Sequence, residues 1–366
     1  MKLYLWVVKV VQLSLVFSFF LSCLGCTFKS SGSASQSSQS NIRSRVLNLA
    51  VWSNYVTPEL ISQFKKKTGI EVLISNYSSN EELLGKLQAG ASGYDIIVPS
   101  DYMVYAMIHL GLLLQLDYSK ISNSKFLDPK FLRKPYDPEN KFSVPYDWGT
   151  TGFAINRTLY SGKLKSWRDF FQKDELAGKI SLLDDAREVI GAALKSQKFS
   201  LNSTSSSELA QAKELLLKAK SKVKIFTSEP MMSLVNGEIA VSHIYMSDAL
   251  QARRATAGKI EYVIPEEGGT LWIDNLSIPI GAKNQIEAYE FMNYLLESHS
   301  NASTVLSVLV APANRDVFSL LPRELQKDPA LFPPSFVLAR CEMIQDLGDF
   351  MQTWDRVWTE VKTSVK

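Results

Sequence analysis

From residue 46 onward, apolar and polar positions switch between two periods, and the switches mark the elements. "VLNLAVW" at 46–52 is a short apolar run that suits a buried strand. "TPELISQFKKKTG" spaces its apolar residues helically, with Thr57 as N-cap, Pro58 at the first helical position and Gly69 as the stop. "IEVLISNY", "SNEELLGKLQAG" with Ser79 or Asn80 near its cap, "YDIIVPS" and "YMVYAMIHLGLL" then repeat strand and helix. Such a βαβαβα run predicts a mostly parallel sheet with right-handed crossovers. Ligands of these sheets gather beyond the carboxyl ends of the strands, here Trp52 to Tyr55, Tyr77 to Ser79 and Ser100 to Tyr102.

A Pro- and Asp-rich segment, "KPYDPENKFSVPYDWGTT", interrupts the alternation before "GFAIN" resumes it, and reads as the first crossing into a second lobe. That lobe carries the strand "KISLLDD", the helix "AREVIGAALKSQ", an amphipathic helix over 206–221, the strand "EIAVSHIY", the helix "SDALQARRATA" and the strand "IEYVIP". After "EEGGTLWIDNLSIPIGA" the pattern is helical again from Gln285. With 366 residues the chain exceeds what one core economically fills, so two domains are expected.

The amino terminus reads differently. Lys2 and Lys9 precede an apolar stretch from Val10 to Gly25, the pattern of an export signal, with an uncleaved anchor as the alternative. "FLSCLGC" resembles the lipobox of bacterial lipoproteins, with Cys26 as the acylated residue and Cys23 as the alternative. Residues 1–25 are then the signal peptide, and 26–44, Ser-rich and nearly free of apolar side chains, a tether. The mature chain would sit outside the inner membrane, periplasmic or on the cell surface. It would keep Cys341 as its only other cysteine, so no intrachain disulfide is expected. The 40 basic residues are balanced by 37 acidic ones without a dense basic block, which argues against a nucleic-acid partner.

"SLLDDAREVI" at 181–190 offers a helix start: Asp185 as N-cap and Glu188 three residues later form a capping box, each satisfying orphan N–H groups. A helix amino terminus also keeps carboxylates ionised, so capping and cation binding are both open here. Arg187 is expected to pair with an acid or face solvent. His109, His243 and His299 lack metal-ligand spacing, and no phosphate-loop or nucleophile motif occurs, so neither metal, cofactor nor catalysis is nominated. What recurs is an aromatic beside an acid or hydroxyl: "WSNY", "PSDY", "IYMSD" and "LWIDN". Aromatic faces with carboxylates suit an alkylammonium, through cation–π contact of about 0.5–2 kcal/mol and charge-assisted hydrogen bonds of about 1.5–3 kcal/mol. The expected ligand is a flexible organic cation with several amines. Asp101 is expected to be solvent-exposed.

In this order, "VWSNYVTPEL", "YDIIVPSDYMV", "SVPYDWGTTGFAIN", "LLDDAREV", "EEGGTLWIDNLSIP" and "APAN" resemble the spermidine/putrescine-binding proteins that feed polyamine ABC importers, over about residues 45–366. The resemblance implies an α/β, two-lobed periplasmic-binding-protein fold (type II-like), each lobe a mostly parallel sheet flanked by helices, closing by hinge motion on a ligand cleft without catalysis. It divides the chain into 45–148 with 275–320 as lobe 1 and 149–274 with 321–366 as lobe 2. Carried over, Trp52 and Tyr55 form an aromatic wall, and Ser100 with Tyr102 the next loop of the cleft. Asp185 and Glu188 match paired acids at one end of the ligand, Trp272 the stacking aromatic and Asp274 the deep acid. Tyr245 stands where the family commonly has Trp, and Asp248 resembles an acid of the putrescine-preferring branch. Where spermidine binders place a glutamine, a gapless comparison puts Ile344, with Gln345 one step later as the candidate. The implied partners are a polyamine, an inner-membrane permease and, through the lipid, the membrane; a monomer is expected.

Overall fold

Helix caps set the first crossover. In the computed structural model, which describes residues 45–364 except 54, 91 and 92, β1 (Val46–Trp52) is followed by α1 (Pro58–Thr68). The Thr57 hydroxyl accepts the Leu60 N–H at 3.2 Å. Gly69 ends the helix at φ 73, a left-handed conformation that costs glycine little. β2 (Glu71–Tyr77), α2 (Asn80–Gln88) capped by Ser79, β3 (Ile96–Ile97) and α3 (Asp101–His109) follow. The three strands form a parallel sheet in the order β2-β1-β3. The expected signal sequence, with Cys23 and Cys26, and the expected Ser-rich tether lie outside the described residues.

"YDIIVPS" is shorter as a strand than its composition suggests, because the chain changes partners after Ile97. The Ile97 N–H donates to the Ser277 carbonyl and the Ser277 N–H returns to Ile97, at 2.9 and 3.0 Å. Pro99, which has no N–H to give, accepts from Asn275 at 2.9 Å. Residues 275–277 are thereby held against the loop that opens α3.

The Pro- and Asp-rich interruption ends sooner than expected. From Val144 the chain is one strand, β4 (Val144–Asn156), of 13 residues buried at every position. Its polar members, Asp147, Thr150 and Thr151, disguise it in a hydropathy pattern, as does Pro145, absorbed by a register shift before Asp147. The strands β5 (Ile180–Leu183), β6 (Val223–Thr227), β7 (Val241–Tyr245), β8 (Ile260–Val263), β9 (Leu271–Leu276) and β10 (Ala311–Pro312) complete the set. β5 is parallel to β6 and β7, whereas every pairing of β4 is antiparallel: β9 and β10 along its first half, β7 and β8 along its second. The second sheet is therefore mixed. β4 carries the chain outward and β9 brings it back, so the two must run opposite ways.

Two large cores change over along β4. The first gathers Leu49, Phe64, Ile96, Met107, Trp148 and Phe291; the second takes Phe153, Trp167, Phe170, Ile190, Val241 and Trp354. In the second, α4 (Trp167–Gln172), α5 (Ala186–Ser196), α6 (Ser206–Ala219) and the carboxyl-terminal helix Met351–Thr363 cover the sheet. α7 (Pro230–Val235) and α8 (Met246–Ala255) bracket β7, and α9 (Gln285–Leu296) returns the chain to the first core. Tyr245, at the end of β7, packs against both cores.

Candidate ligand-binding site

The carboxyl ends of β1 and β7, the first four residues of β9 and the starts of α3, α5 and α8 converge on one cavity of about 370 Å³. Trp52, Tyr55, Ser100, Tyr102, Asp185, Glu188, Tyr245, Asp248, Trp272 and Asp274 all line it. So do Asp101 and Glu229, giving six carboxylates and no lysine or arginine among the lining residues.

Asp274, on β9, is buried, with Oδ1 accepting from the Ser100 hydroxyl at 2.7 Å and Oδ2 from the Tyr55 hydroxyl at 2.8 Å. Burial pushes its carboxyl up to about 6, against the pull of those two hydrogen bonds. Trp272, two residues earlier on the same face of β9, lies over β4 at Gly149. A Cβ there would stand 2.4 Å from the indole, so only glycine admits the ring. Trp52 is fixed by its indole N–H to the Val98 carbonyl at 2.9 Å and by the Tyr77 ring at 4.7 Å.

At the other side, Asp185 caps α5 as its sequence predicts, Oδ1 accepting the Arg187 and Glu188 N–H groups at 2.8 and 3.1 Å. Its Oδ2 receives the Tyr245 hydroxyl at 3.4 Å. Burial raises its carboxyl. Glu188 departs from the capping box. Its carboxylate turns away from the helix start to accept the hydroxyls of Thr151 at 2.9 Å and Thr270 at 2.6 Å, one from β4 and one from the lead into β9. Burial, and then the charge of Asp185, push Glu188 up to about 8. His243 lies 4.0 Å from it, but burial lowers that imidazole to about 3, so it stays neutral beside the acid.

Three expectations are corrected. Asp101 is 1 % exposed and in the wall of the cavity, not on the surface, because the bridge between Ser100 and Asp274 draws the start of α3 against β9. Arg187 neither pairs with an acid nor faces solvent. It is buried, donating to the Gln345 carbonyl at 2.8 Å and the Asn202 side-chain oxygen at 3.0 Å, with its guanidinium 4.9 Å from the Trp354 ring. Gln345 is exposed and does not line the cavity; the wall position belongs to Ile344. The backbone of Gln345 explains this, since its N–H is held by Asn202 at 2.8 Å while its carbonyl takes Arg187.

Asp248 reaches the cavity from α8, where burial, and then the charge of Glu229, push it up to about 6. Glu229 carries no sequence signal: it precedes a proline in a loop of ordinary composition. Thr151, Thr270 and His243 are equally silent in sequence, being single residues whose role comes from facing Glu188. Tyr102 donates its hydroxyl to Glu81 at 3.0 Å and receives the Asn80 amide at 3.1 Å, tying the start of α2 to the rim. An acid-lined, cation-free cavity with two indoles attracts positive charge and covers methylene groups.

A family profile described as bacterial extracellular solute-binding protein matches residues 59–333. The chain belongs to the bacterial extracellular solute-binding proteins. This solute-binding protein is 37% identical over 320 residues, 86% of its length and 88% of the other's, to spermidine/putrescine-binding periplasmic protein 1 of Haemophilus influenzae. Among solved structures it is similar to the spermidine/putrescine ABC transporter substrate-binding protein PotD of Streptococcus pneumoniae, at 33% identity and TM-score 0.75 over 87% of this chain and 99% of that one. It is also similar to the Tp0655 (TpPotD) lipoprotein of Treponema pallidum, at 30% identity and TM-score 0.77 over 86% and 99%. These likenesses extend over the whole of the fold described above.

Proposed function

We propose that this solute-binding protein captures a polyamine of the putrescine and spermidine class and delivers it to an ABC permease. The observation that carries the reading is the cavity wall: six carboxylates, with Trp52, Tyr55, Tyr102, Tyr245 and Trp272 between them, and no basic side chain. A chain of methylenes fits between the aromatic faces while ammonium groups meet the acids at either side, Asp185 with Glu188 and Asp274 opposite. The spermidine/putrescine-binding relatives point the same way. The protein acts by binding and release, not by turnover, and works as a monomer. Lobe 1 is 45–148 with 275–320 and lobe 2 is 149–274 with 321–366, moving about β4 and β9. It is held to the membrane by a lipid on Cys26, or on Cys23, with residues up to 44 as tether; the likeness to a lipoprotein supports this.

Isothermal titration of the purified protein with putrescine, spermidine and spermine tests the reading. Micromolar or tighter binding to at least one is expected. A folded, ligand-free protein that gives no heat with any of the three refutes it. Metabolic labelling with a fatty-acid analogue, in wild type and in Cys26→Ser, tests the anchor.

A further inference from the structure

Glu188 has a buried histidine beside it. His243, on β7, is fully buried, and neither of its ring nitrogens has a hydrogen-bond partner among the described residues. Its Nε2 lies 4.0 Å from Glu188 Oε2, about 1 Å beyond a hydrogen bond. The ring packs edge-on with the Trp167 indole, centroids 4.9 Å apart, and the strand pairing sets it opposite Phe153 of β4. Such apolar surroundings keep the imidazole neutral, but they do not call for an imidazole. A neutral ring carries one N–H in either tautomer, and a buried N–H without an acceptor is costly. Packing alone would be served better by methionine or leucine.

We propose that His243 is a positioning residue for Glu188: its neutral imidazole donates the Nε2–H to Oε2 when Glu188 ionises to meet a ligand ammonium. The inference rests on the polyamine reading. In the empty cleft Glu188 keeps its proton near neutral pH, because it is buried beside Asp185, with Arg187 on the same helix pulling the other way. Its charge is felt in turn by Asp101 on α3 and by the hydroxyls of Tyr245 on β7 and Tyr262 on β8. Once ionised, the two oxygens offer four acceptor places, of which the Thr151 and Thr270 hydroxyls fill two. A carboxylate movement of about 1 Å brings His243 onto the third, leaving the fourth for the amine in the cavity that Glu188 lines. The Glu188 proton leaves to solvent, and the imidazole neither gains nor loses one. Hydrogen bonds to an ionised carboxylate favour that form, so His243 lowers the pH at which Glu188 can take an ammonium.

The test is calorimetric titration of the wild type, His243→Met and His243→Gln with putrescine and spermidine at pH 6, 7 and 8, each in two buffers of different ionisation heat. Methionine fills the site without a donor, whereas the glutamine amide can place an N–H near the position of Nε2. At pH 7 His243→Met should lose about tenfold or more in affinity, the scale of one hydrogen bond to a charged group. Its pH profile of binding should move upward, while its ligand-free melting midpoint stays at or above that of the wild type, since two unpartnered buried nitrogens are gone. His243→Gln should bind more tightly than His243→Met. A smaller loss in His243→Met, or one that leaves the pH profile where it was, overturns this inference and leaves the polyamine reading standing. So does a glutamine variant that binds no better than the methionine variant, which would make the loss one of packing. A His243→Met protein that melts lower or does not fold marks the histidine as structural and also overturns it. A folded wild type that binds neither amine overturns both.

Discussion

Polyamine binding should tighten steeply as pH rises from 6 to 8. In the empty cleft Glu188 titrates at about 8, against an ordinary 4.5, because it is buried beside Asp185. An ammonium is attracted to the ionised form, so below pH 8 a proton must leave as the ligand enters. At about 1.4 kcal/mol per pH unit, working at pH 6 costs roughly 2.7 kcal/mol of affinity, or about 100-fold in Kd. The ligand amines, close to lysine in basicity at about 10.4, stay charged throughout, so the slope belongs to the protein. Asp274 and Asp248, both at about 6, steepen the loss below that pH. The same raised acid acts on folding with the opposite trend. Its stabilising contribution is fully present below the unfolded value near 4.5 and is lost as pH rises through about 8, so the ligand-free melting midpoint should fall over that window and ligand should restore it. Titration calorimetry at pH 6, 7 and 8, each in two buffers, measures both Kd and protons released. A Kd constant within a factor of two from pH 6 to 8, with no buffer dependence of the heat, would refute the reasoning.

Other perturbations address single contacts. Asp274→Asn removes the charge that Tyr55 and Ser100 orient, and polyamine affinity should drop about 10- to 150-fold with little loss of thermal stability, read by calorimetry and melting curves. Gly149→Ala puts a methyl 2.4 Å from the Trp272 indole; the ring must move, costing about 1–3 kcal/mol, with a matching loss of affinity and a shift in tryptophan fluorescence. Gln345→Ala should leave Kd within a factor of two, since its side chain is outside the cavity, whereas Ile344→Asn should weaken binding by altering the wall itself.

Much of this protein was legible in its order of residues wherever the cause acts within a few positions. Thr57, Pro58 and Gly69 bound the first helix, and Asp185 caps α5, because a cap joins a side chain to a backbone N–H two or three residues away. Trp52 and Tyr245 likewise stand at strand ends as their pattern suggests, since strand ends in such sheets share one edge, whereas Trp272 and Asp274 lie within β9. What tertiary structure alone decided is which of these groups are buried and what they face. Glu188 left its expected capping role because Thr151 and Thr270, from β4 and β9, offer it hydroxyls. Asp101 entered the wall because Ser100 pairs with Asp274, 174 positions away, and Ile344 displaced Gln345 because Asn202 and Arg187 hold that backbone. Burial sets whether a carboxylate keeps its proton, and burial depends on segments remote in the chain. Local pattern therefore named the acids of this cleft, while packing set their charge.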